Sequence, residues 1–397
     1  MRISTAGVFR QSLDNILSQQ TQLAKVQDQI GKGTKLSTAA DDPAAMARAM
    51  TLDQSLADNA RFQSNIGQAK QRLGMEENAL SSSNDVLQRI RELAVQANSG
   101  TQSTDSRNAI ATELQQRYDE LLSYANAQDG ESRYLFGGSN DGVPPFSKTG
   151  NSISYNGDQN GRILEIGTSR TLADGDSGAT VFMSSRSGDG SIAATAAGTN
   201  TGNVAVTGTH TLDTSLWDGA SYTVNFNGGN YQVKDSGGAV IGSGTYASGG
   251  SIRFRGIELS LSGAPADGDQ LSVAGSQNKD VFSSIRDLIA QVQNPAATPA
   301  ERARVQTSMY GTMSEIDQAI SQVSNVRSTV GNRLAVLDST EASLNQNEVS
   351  AKQALSDLRD LDYAEAATRL NIHATALQAS QQAYMKVQGL SLFDYIR

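Results

Sequence analysis

The residue types that most often carry out chemistry in proteins are few and scattered in this sequence. The two histidines, His210 and His373, lie far apart in the chain, and there is no cysteine. No His-Glu-x-x-His, Gly-x-Ser-x-Gly or Walker pattern occurs. The adjacent carboxylates Asp41 and Asp42 could bind a metal ion, but Pro43 follows them, which is typical of a helix start. The sequence therefore predicts no catalytic residue, no metal site and no cofactor.

A binding site for sugars or phosphates is also weakly supported. Trp217 is the only tryptophan, and we interpret it as a core residue rather than as a carbohydrate platform. Glycine pairs such as Gly228-Gly229 are typical of turns. A surface adhesin on a helical stalk stays open as a less favoured alternative.

Charge and hydropathy exclude further classes of protein. The net charge of −9 argues against nucleic-acid binding, which requires a basic surface. No segment approaches the roughly 18 apolar residues of a membrane span. The first residues contain no apolar signal segment, so we expect export by a route other than a Sec-type signal peptide.

Both ends of the chain have the spacing of long helices. Phe9, Ile16, Leu23 and Ile30 are separated by sevens, with Leu13, and then Gln20 and Gln27, predicted at the intervening position. Glutamine where leucine would be stronger predicts a weak coiled coil. A final helix is expected to run from Asp362 to Gly389.

The inner helices show longer and more regular repeats of seven. Their seam positions are Leu52, Ile66, Leu73, Leu80, Leu87 and Ala94 in one helix, and Met309, Ile316, Val323, Val330, Leu337, Leu344, Ala351 and Leu358 in the other. The predicted helix caps are Asp42, Thr298 with Glu301, and Asp362 with Glu365.

The middle of the chain is predicted to be β-rich. Most of the 37 glycines lie between Gly137 and Gly275. Tyr222, Val224 and Phe226 alternate with polar residues and are predicted to face Tyr231 and Val233 across a turn at Gly228-Gly229. A hairpin turn is predicted at residues 154–158 and an exposed loop at 184–209.

Together these patterns predict an α+β fold, a long antiparallel helical bundle or coiled coil built from both chain ends with an inserted β-rich domain. The predicted divisions are terminal assembly arms at residues 1–42 with 357–397, a helical rod at 43–135 with 278–356, a β-hairpin region at 136–169, and an outer β domain at 170–277.

The terminal arms are too polar to bury a strong core alone, so we expect them to become ordered when neighbouring molecules cover them. The predicted assembly interface consists of Phe9, Leu13, Ile16, Leu23, Ile30, Leu370, Leu377, Tyr384, Leu390, Leu392, Phe393 and Ile396.

Three segments resemble the flagellin family of bacterial flagellar proteins. Residues 36–44 (LSTAADDPA) are similar to the flagellin N-terminal signature. In a C-terminal segment, residues 362–366 (DYAEA), 369–371 (RLN), 376–381 (ALQASQ) and 389–396 (GLSLFDYI) resemble the end of the hook-associated members that lie between hook and filament. Residues 256–269 (GIELSLSGAPADGD) resemble a β-domain segment of hook-associated proteins.

The resemblance implies a non-enzymatic structural protein that is exported unfolded to the extracellular flagellum. It also implies self-assembly, contacts with an adjacent hook-associated protein and with flagellin, and a cytoplasmic export chaperone on the C-terminal helices. Flagellin itself, the filament subunit, is the nearest alternative.

Overall fold

The structure, a computed structural model, describes residues 5–99, 102–150 and 152–393, with terminal-helix side chains from residue 7 to residue 386. It divides into two compact units. The first contains Met1–Ser64 and Ser339–Arg397, and the second contains Asn65–Asp338. We call them the terminal unit and the inner unit. The domain boundaries predicted from the sequence stay predictions.

Seven helices occur in the described residues. They are α1 (Thr5–Lys32), α2 (Pro43–Ala97), α3 (Thr104–Ala125), α4 (Gly178–Phe182), α5 (Val281–Gln293), α6 (Pro299–Arg359) and α7 (Tyr363–Phe393). The end predicted for the last helix at Gly389 is wrong, because α7 continues to Phe393. A glycine inside a helix costs about 1 kcal/mol relative to alanine but does not by itself end the helix.

In the inner unit, α2 and α6 run antiparallel. Ion pairs mark their register, with Lys70 Nζ 2.5 Å from Asp338 Oδ1 and Arg327 Nη2 2.6 Å from Glu77 Oε1. The predicted seam residues of this unit are fully or almost fully buried: Ile66, Leu73, Leu80, Leu87 and Ala94 on α2, and Met309, Ile316, Val323, Val330 and Leu337 on α6. The spacing by sevens therefore identified the core of the helical part.

A cluster of aromatic rings joins helices and strands at the other side of this core. Phe146 packs on Phe182 and Phe282 with ring centroids 5.6 and 5.4 Å apart, and Phe136 packs edge-on against Phe182 at 5.3 Å. Tyr118 of α3 contacts Phe282 of α5 at 5.8 Å. These rings hold the segment after α3 against the bundle.

Fourteen strands occur in the described residues: β1 (Phe146–Thr149), β2 (Ser152–Tyr155), β3 (Ile163–Gly167), β4 (Arg170–Ala173), β5 (Ser185–Arg186), β6 (Ile192–Ala196), β7 (Ala205–Thr211), β8 (Tyr222–Asn227), β9 (Asn230–Asp235), β10 (Val240–Thr245), β11 (Ser251–Phe254), β12 (Ile257–Ser262), β13 (Gln270–Gly275) and β14 (Asn278–Lys279). The larger sheets have the orders β10-β9-β8-β13-β6 and β11-β12-β7, and all pairs are antiparallel.

The inserted β domain has a single apolar core. Val224 pairs with Val233 and Phe226 with Tyr231 across the turn at Gly228 and Gly229, as the alternation predicted. The loop predicted at residues 184–209 is wrong, because this segment contains β5, β6 and the start of β7. Ile192, Val204 and Val206 within it are buried in the core.

The hairpin turn predicted at residues 154–158 is also wrong. Tyr155 ends β2, and β2 pairs backward with β1, so that Phe146 faces Tyr155. Asn156 N–H then donates to Pro145 O at 2.8 Å, which closes the open end of this hairpin. The α+β class with an inserted β-rich domain is confirmed.

Candidate assembly interface

The two terminal helices pack against each other in the terminal unit. The rings of Phe9 and Tyr384 meet edge to face with centroids 5.8 Å apart. Further along, His373 Nδ1 lies 3.0 Å from Gln19 Oε1. Residues later in α1 contact residues earlier in α7, so the two helices are antiparallel.

The seam of this pair follows a spacing of three and four residues. On α1 the covered positions are Phe9, Ser12, Ile16, Gln19, Leu23, Val26 and Ile30, and on α7 they are Ala366, Leu370, His373, Leu377, Ser380 and Tyr384. This spacing is that of a coiled coil. The intervening position predicted at Leu13, Gln20 and Gln27 is wrong for this seam, because those side chains are exposed and Ser12, Gln19 and Val26 take the place.

The seam is only weakly apolar. Ser12, Gln19, His373 and Ser380 interrupt it, and most of its apolar members are half-buried. A pair of helices covers one side of each seam residue, whereas a larger bundle covers the remaining sides. The pair therefore leaves apolar surface that further helices can bury.

Large apolar side chains also point away from the seam. Leu13 is 48% exposed and Leu17 is 51% exposed on α1, and Ile372 and Met385 are exposed on α7. Met50, Val349 and Tyr363 add to the exposed apolar surface of this unit. An exposed apolar patch on a soluble protein commonly marks a contact with another protein.

Several predicted interface residues are outside what the structure describes. Ile396 lies beyond the described residues, and so do the side chains of Leu390, Leu392 and Phe393. The backbone of these last three belongs to α7. The sequence pattern missed Ile372 and Met385, although both are large apolar residues in a helix whose other outward positions are mostly polar or small.

The predicted capping residues lie at helix starts. Asp42 Oδ1 accepts from the backbone N–H groups of Ala44 and Ala45 at 3.0 and 2.9 Å. Thr298 Oγ1 accepts from Glu301 N–H at 3.2 Å, and Glu301 Oε2 accepts from Thr298 N–H at 2.8 Å. This reciprocal pair is a capping box.

At the start of α7, Asp362 Oδ1 accepts from Ala364 N–H at 2.9 Å and from Glu365 N–H at 3.2 Å. The Glu365 side chain lies 3.7 Å from Arg369 on the same helix. Asp362 therefore caps α7, whereas the capping role predicted for Glu365 is wrong, because its side chain forms an ion pair with Arg369 along the first turns of the helix instead.

Asp41 has a different role from its neighbour Asp42. Its Oδ2 atom accepts from the N–H groups of Ser37 and Thr38, and its Oδ1 atom lies 2.7 Å from Lys25 Nζ. The ammonium of Lys25, followed by the two backbone donors, lowers the pKa of the Asp41 carboxyl well below its ordinary value. Asp41 thus fastens the linker after α1 to that helix, which explains both aspartates without a metal ion.

A buried group of charges in the inner unit was not foreseen from the sequence. Glu76 is 1% exposed, and its Oε1 atom accepts from Asp176 N–H at 3.1 Å. Arg333 donates to both oxygens of Asp176 at 2.8 and 2.9 Å. Burial, and then the negative charge of Asp176, raise the pKa of Glu76 well above its ordinary value.

These charges tie elements of the inner unit together. Arg72, 5% exposed, donates to Asp129 Oδ2 and to the carbonyl oxygens of Tyr134 and Leu135. In the described part of the chain no group of three or more histidine and carboxylate side chains could hold a metal ion. None of the described helices is long and apolar enough to cross a membrane.

Trp217 and His210 both lie in the β domain. Trp217 is half-buried, and its ring centroid is 5.9 Å from that of Tyr222 at the edge of the core. His210 is on β7 and pairs in register with Glu258 of β12. The two histidines are in different units, with His373 in the seam of the terminal helices.

Comparison with known proteins gives matches at both ends and in the insertion. The model of the bacterial flagellin N-terminal helical region matches residues 3–141, and that of the flagellin C-terminal helical region matches residues 313–396. The model of the D2-like domain of flagellar hook-associated protein 1 matches residues 195–275. The resemblance carried by the three quoted segments is confirmed.

A solved structure extends the similarity to nearly the whole of a relative. The crystal structure of Xanthomonas campestris FlgL is 39% identical, with a TM-score of 0.72, and the match covers 77% of this chain and 99% of that chain. The chain belongs to the FlgL family. The flagellar junction protein FlgL from Legionella pneumophila is 29% identical, with a TM-score of 0.71, covering 79% of this chain and all of that one.

Flagellar hook-associated protein 3 of Escherichia coli K12 is 24% identical over 395 residues, 99% of each chain. FlgL relatives are thus similar along both terminal helices and across the insertion between them.

Proposed function

We propose that this chain is a structural protein of the bacterial flagellum that forms the junction between a hook-associated protein and the flagellin filament. The observation that carries the proposal is the antiparallel α1–α7 pair, which leaves Leu13, Leu17, Ile372 and Met385 uncovered. A pair of this kind gains stability when identical pairs pack around it. Polymerisation of the terminal helices is therefore the assembly reaction.

The interface we propose has two layers. Phe9, Ile16, Leu23 and Ile30, with Leu370, Leu377 and Tyr384, hold α1 and α7 of one molecule together. Leu13 faces the neighbouring copies, and Leu390, Leu392, Phe393 and Ile396 extend the assembly surface toward the chain end. Asp42, Thr298 with Glu301, and Asp362 fix where the helices begin.

The arms are proposed to become fully ordered only on assembly. The polar seam residues Gln19 and His373 favour this, because such a seam contributes little stability to an isolated pair. Amide hydrogen exchange on the free chain measures it directly. Fast exchange across residues 10–30 is expected, and slow exchange there in dilute monomer would contradict the proposal.

The domain division that we propose follows the predicted boundaries, with arms at 1–42 and 357–397, a helical rod at 43–135 and 278–356, a β-hairpin region at 136–169 and an outer domain at 170–277. The helices would build the wall of the flagellar tube, and the β domain would project outward. The match of residues 195–275 to a hook-associated D2-like domain supports the last boundary.

Partners and location follow from the same proposal. The chain would contact identical subunits, an adjacent hook-associated protein and flagellin in the extracellular flagellum. It would leave the cell unfolded through the flagellar export apparatus, with a cytoplasmic chaperone on its C-terminal helices. The acidic net charge of −9 supports the inference that nucleic acid is not a partner.

We infer that the chain has no enzymatic activity. The structural flagellar relatives support this inference. The histidines are in different units, and the buried Glu76 is engaged with Asp176 and lies among structural ion pairs.

Flagellin is the alternative that the terminal helices alone would allow. The match along 99% of hook-associated protein 3 favours the junction role, because the flagellin models match the terminal regions. A strain that lacks this gene separates the two. Hooks without filaments, with flagellin released into the medium, are expected, and the intact gene should restore attached filaments. Loss of flagellin from both cells and medium would instead indicate the filament subunit.

A further inference from the structure

The two linkers of the terminal unit are hydrogen-bonded to each other. The residues after α1 and before α7 form an isolated antiparallel bridge between Thr34 and Asp360. Lys35 N–H donates to Arg359 O at 2.8 Å, and Leu361 N–H donates to Gly33 O at 3.1 Å. We call residues 33–35 with 359–361 the linker clasp.

Further contacts and the backbone conformation of Gly33 hold the linker clasp in this arrangement. Gln29, 6% exposed at the end of α1, donates from Nε2 to Lys35 O at 2.7 Å, and Leu361 is 7% exposed. Gly33 has a φ of +71°, a conformation that disfavours any other residue. An added Cβ there would lie 2.9 Å from the Tyr363 hydroxyl at the start of α7.

We propose that the linker clasp makes α1 pair with α7 of the same molecule rather than with α7 of a second copy. This inference rests on the proposed function, because assembly brings identical helices side by side. Exchange of an identical element between protomers is a low-cost route to dimers. The seam cannot prevent it, since contacts such as Gln19 to His373 would be the same between two copies.

The clasp can discriminate because of where its bonds lie. The hydrogen bonds join Arg359, the last residue of α6, and Leu361, which precedes α7, to Lys35 and Gly33, which follow α1. The end of α1 and the start of α7 are thereby held next to each other within one chain. Such a tether gives the local α7 an effective concentration in the millimolar range, above that of a free competitor.

The absence of cysteine makes the pairing measurable. Two full-length versions, one with Gln19→Cys and one with His373→Cys, are unfolded together, refolded and treated with a short thiol cross-linker. Covalent heterodimer reports exchange of α7 between copies. A chain that carries both substitutions should give the intramolecular product, and the mixed single variants should give little heterodimer.

Lys35→Pro in both partners removes the donor to Arg359 O and leaves the Lys35 carbonyl in place. A hydrogen bond of this kind is worth roughly a factor of five in an equilibrium constant, so we expect about a fivefold rise in heterodimer. Lys35→Ala keeps the backbone N–H and is the matched control, because it loses the same bond from Lys35 Nζ to Asp357 O as the proline variant does. The rise in heterodimer should therefore be smaller for Lys35→Ala than for Lys35→Pro.

Gly33→Ala gives a second test that keeps every donor of the clasp. It should also raise the heterodimer, whereas Gly31→Ala, inside α1 with open space around the added Cβ, should not. Circular dichroism identifies a variant that fails to fold. If either Lys35→Pro or Gly33→Ala does not fold, the heterodimer yield of the other variant tests the proposal.

Equal heterodimer in the clasp variants and their controls, with unchanged helicity, would overturn the proposal. So would abundant heterodimer in the chain with the intact clasp. The readout is obtained in solution, so a wrong junction assignment would appear separately, as normal filament attachment in the strain that lacks the gene.

Discussion

Leu17→Glu tests whether the outward face of α1 is an assembly surface. Leu17 is 51% exposed in the single molecule, so about half of its side chain remains to be buried. Full burial of a leucine contributes about 1.5–3 kcal/mol, and the uncovered half therefore contributes about 1 kcal/mol to each subunit contact. A glutamate at this position lacks that favourable contribution, and it adds the free-energy cost of desolvating an unpaired charge.

Together, the lost apolar burial and the desolvated charge weaken each subunit contact by about 3 kcal/mol, which is roughly a 100-fold weaker association. In the free chain the same substitution should change the free energy of unfolding by about 0.5 kcal/mol or less, since leucine and glutamate have similar helix propensities. Circular dichroism of the purified variant and the fraction of cells with attached filaments are the two measurements.

Ile16→Glu is the matched variant one residue earlier. Ile16 lies in the seam with α7, so its replacement should reduce assembly and also whatever partial helicity the terminal arms have in the free chain. Filaments attached at the normal frequency in cells that express Leu17→Glu would refute the reasoning about the outward face.

Three further outcomes are expected. Leu80→Ala in the fully buried seam of the inner unit should lower the free energy of unfolding by about 3–5 kcal/mol in a urea titration; a loss below about 1 kcal/mol would show that the core repacks. The pKa of Glu76 is raised in the folded state, so the folded chain binds the proton more tightly than the unfolded chain. The free energy of unfolding should therefore fall as the pH rises from about 4.5 through the folded pKa, and Glu76→Gln should flatten this dependence. An unchanged pH profile in that variant would assign the dependence to other groups. Deletion of residues 391–397 should abolish filament attachment while the β domain still unfolds cooperatively, and motile cells with the truncated chain would contradict the role given to that segment.

The helical core could be predicted because the burial of each position follows from the spacing of apolar residues along the same helix. Ile66, Leu73 and Leu80 repeat by sevens, and all are fully buried. The heptad spacing alone does not determine the register, because the second seam position can be three or four residues after the first. Apolarity favours Leu13 over Ser12 at this position, yet Ser12 faces α7.

The misassigned register has a physical cause. Hydrophobicity marks every surface that is buried in the working assembly, whereas the seam of one molecule is only part of that surface. Leu13 is apolar although it is exposed in the single chain, which fits a second contact beyond α7. Sequence alone does not separate the two kinds of burial.

Segments whose partners are remote in sequence were harder to predict. Residues 184–209 have the composition of a loop, but Ile192, Val204 and Val206 alternate with small residues and enter the β core. Glu76 is buried, and its hydrogen-bond donor is the backbone N–H of Asp176, a hundred residues later in the chain. No local pattern on α2 distinguishes that glutamate from its solvated neighbours.

The attachment of the β domain to α6 has a consequence for solubility. Strand β7 ends the three-stranded sheet, and an open strand edge can pair with a strand of another molecule. Here Val206 N–H donates to Thr307 Oγ1 and Thr209 N–H to the Tyr310 hydroxyl, both at 3.0 Å. Two side chains of α6 thus occupy two backbone donors of this strand edge, and neither donor is left free to bond a strand of a second molecule.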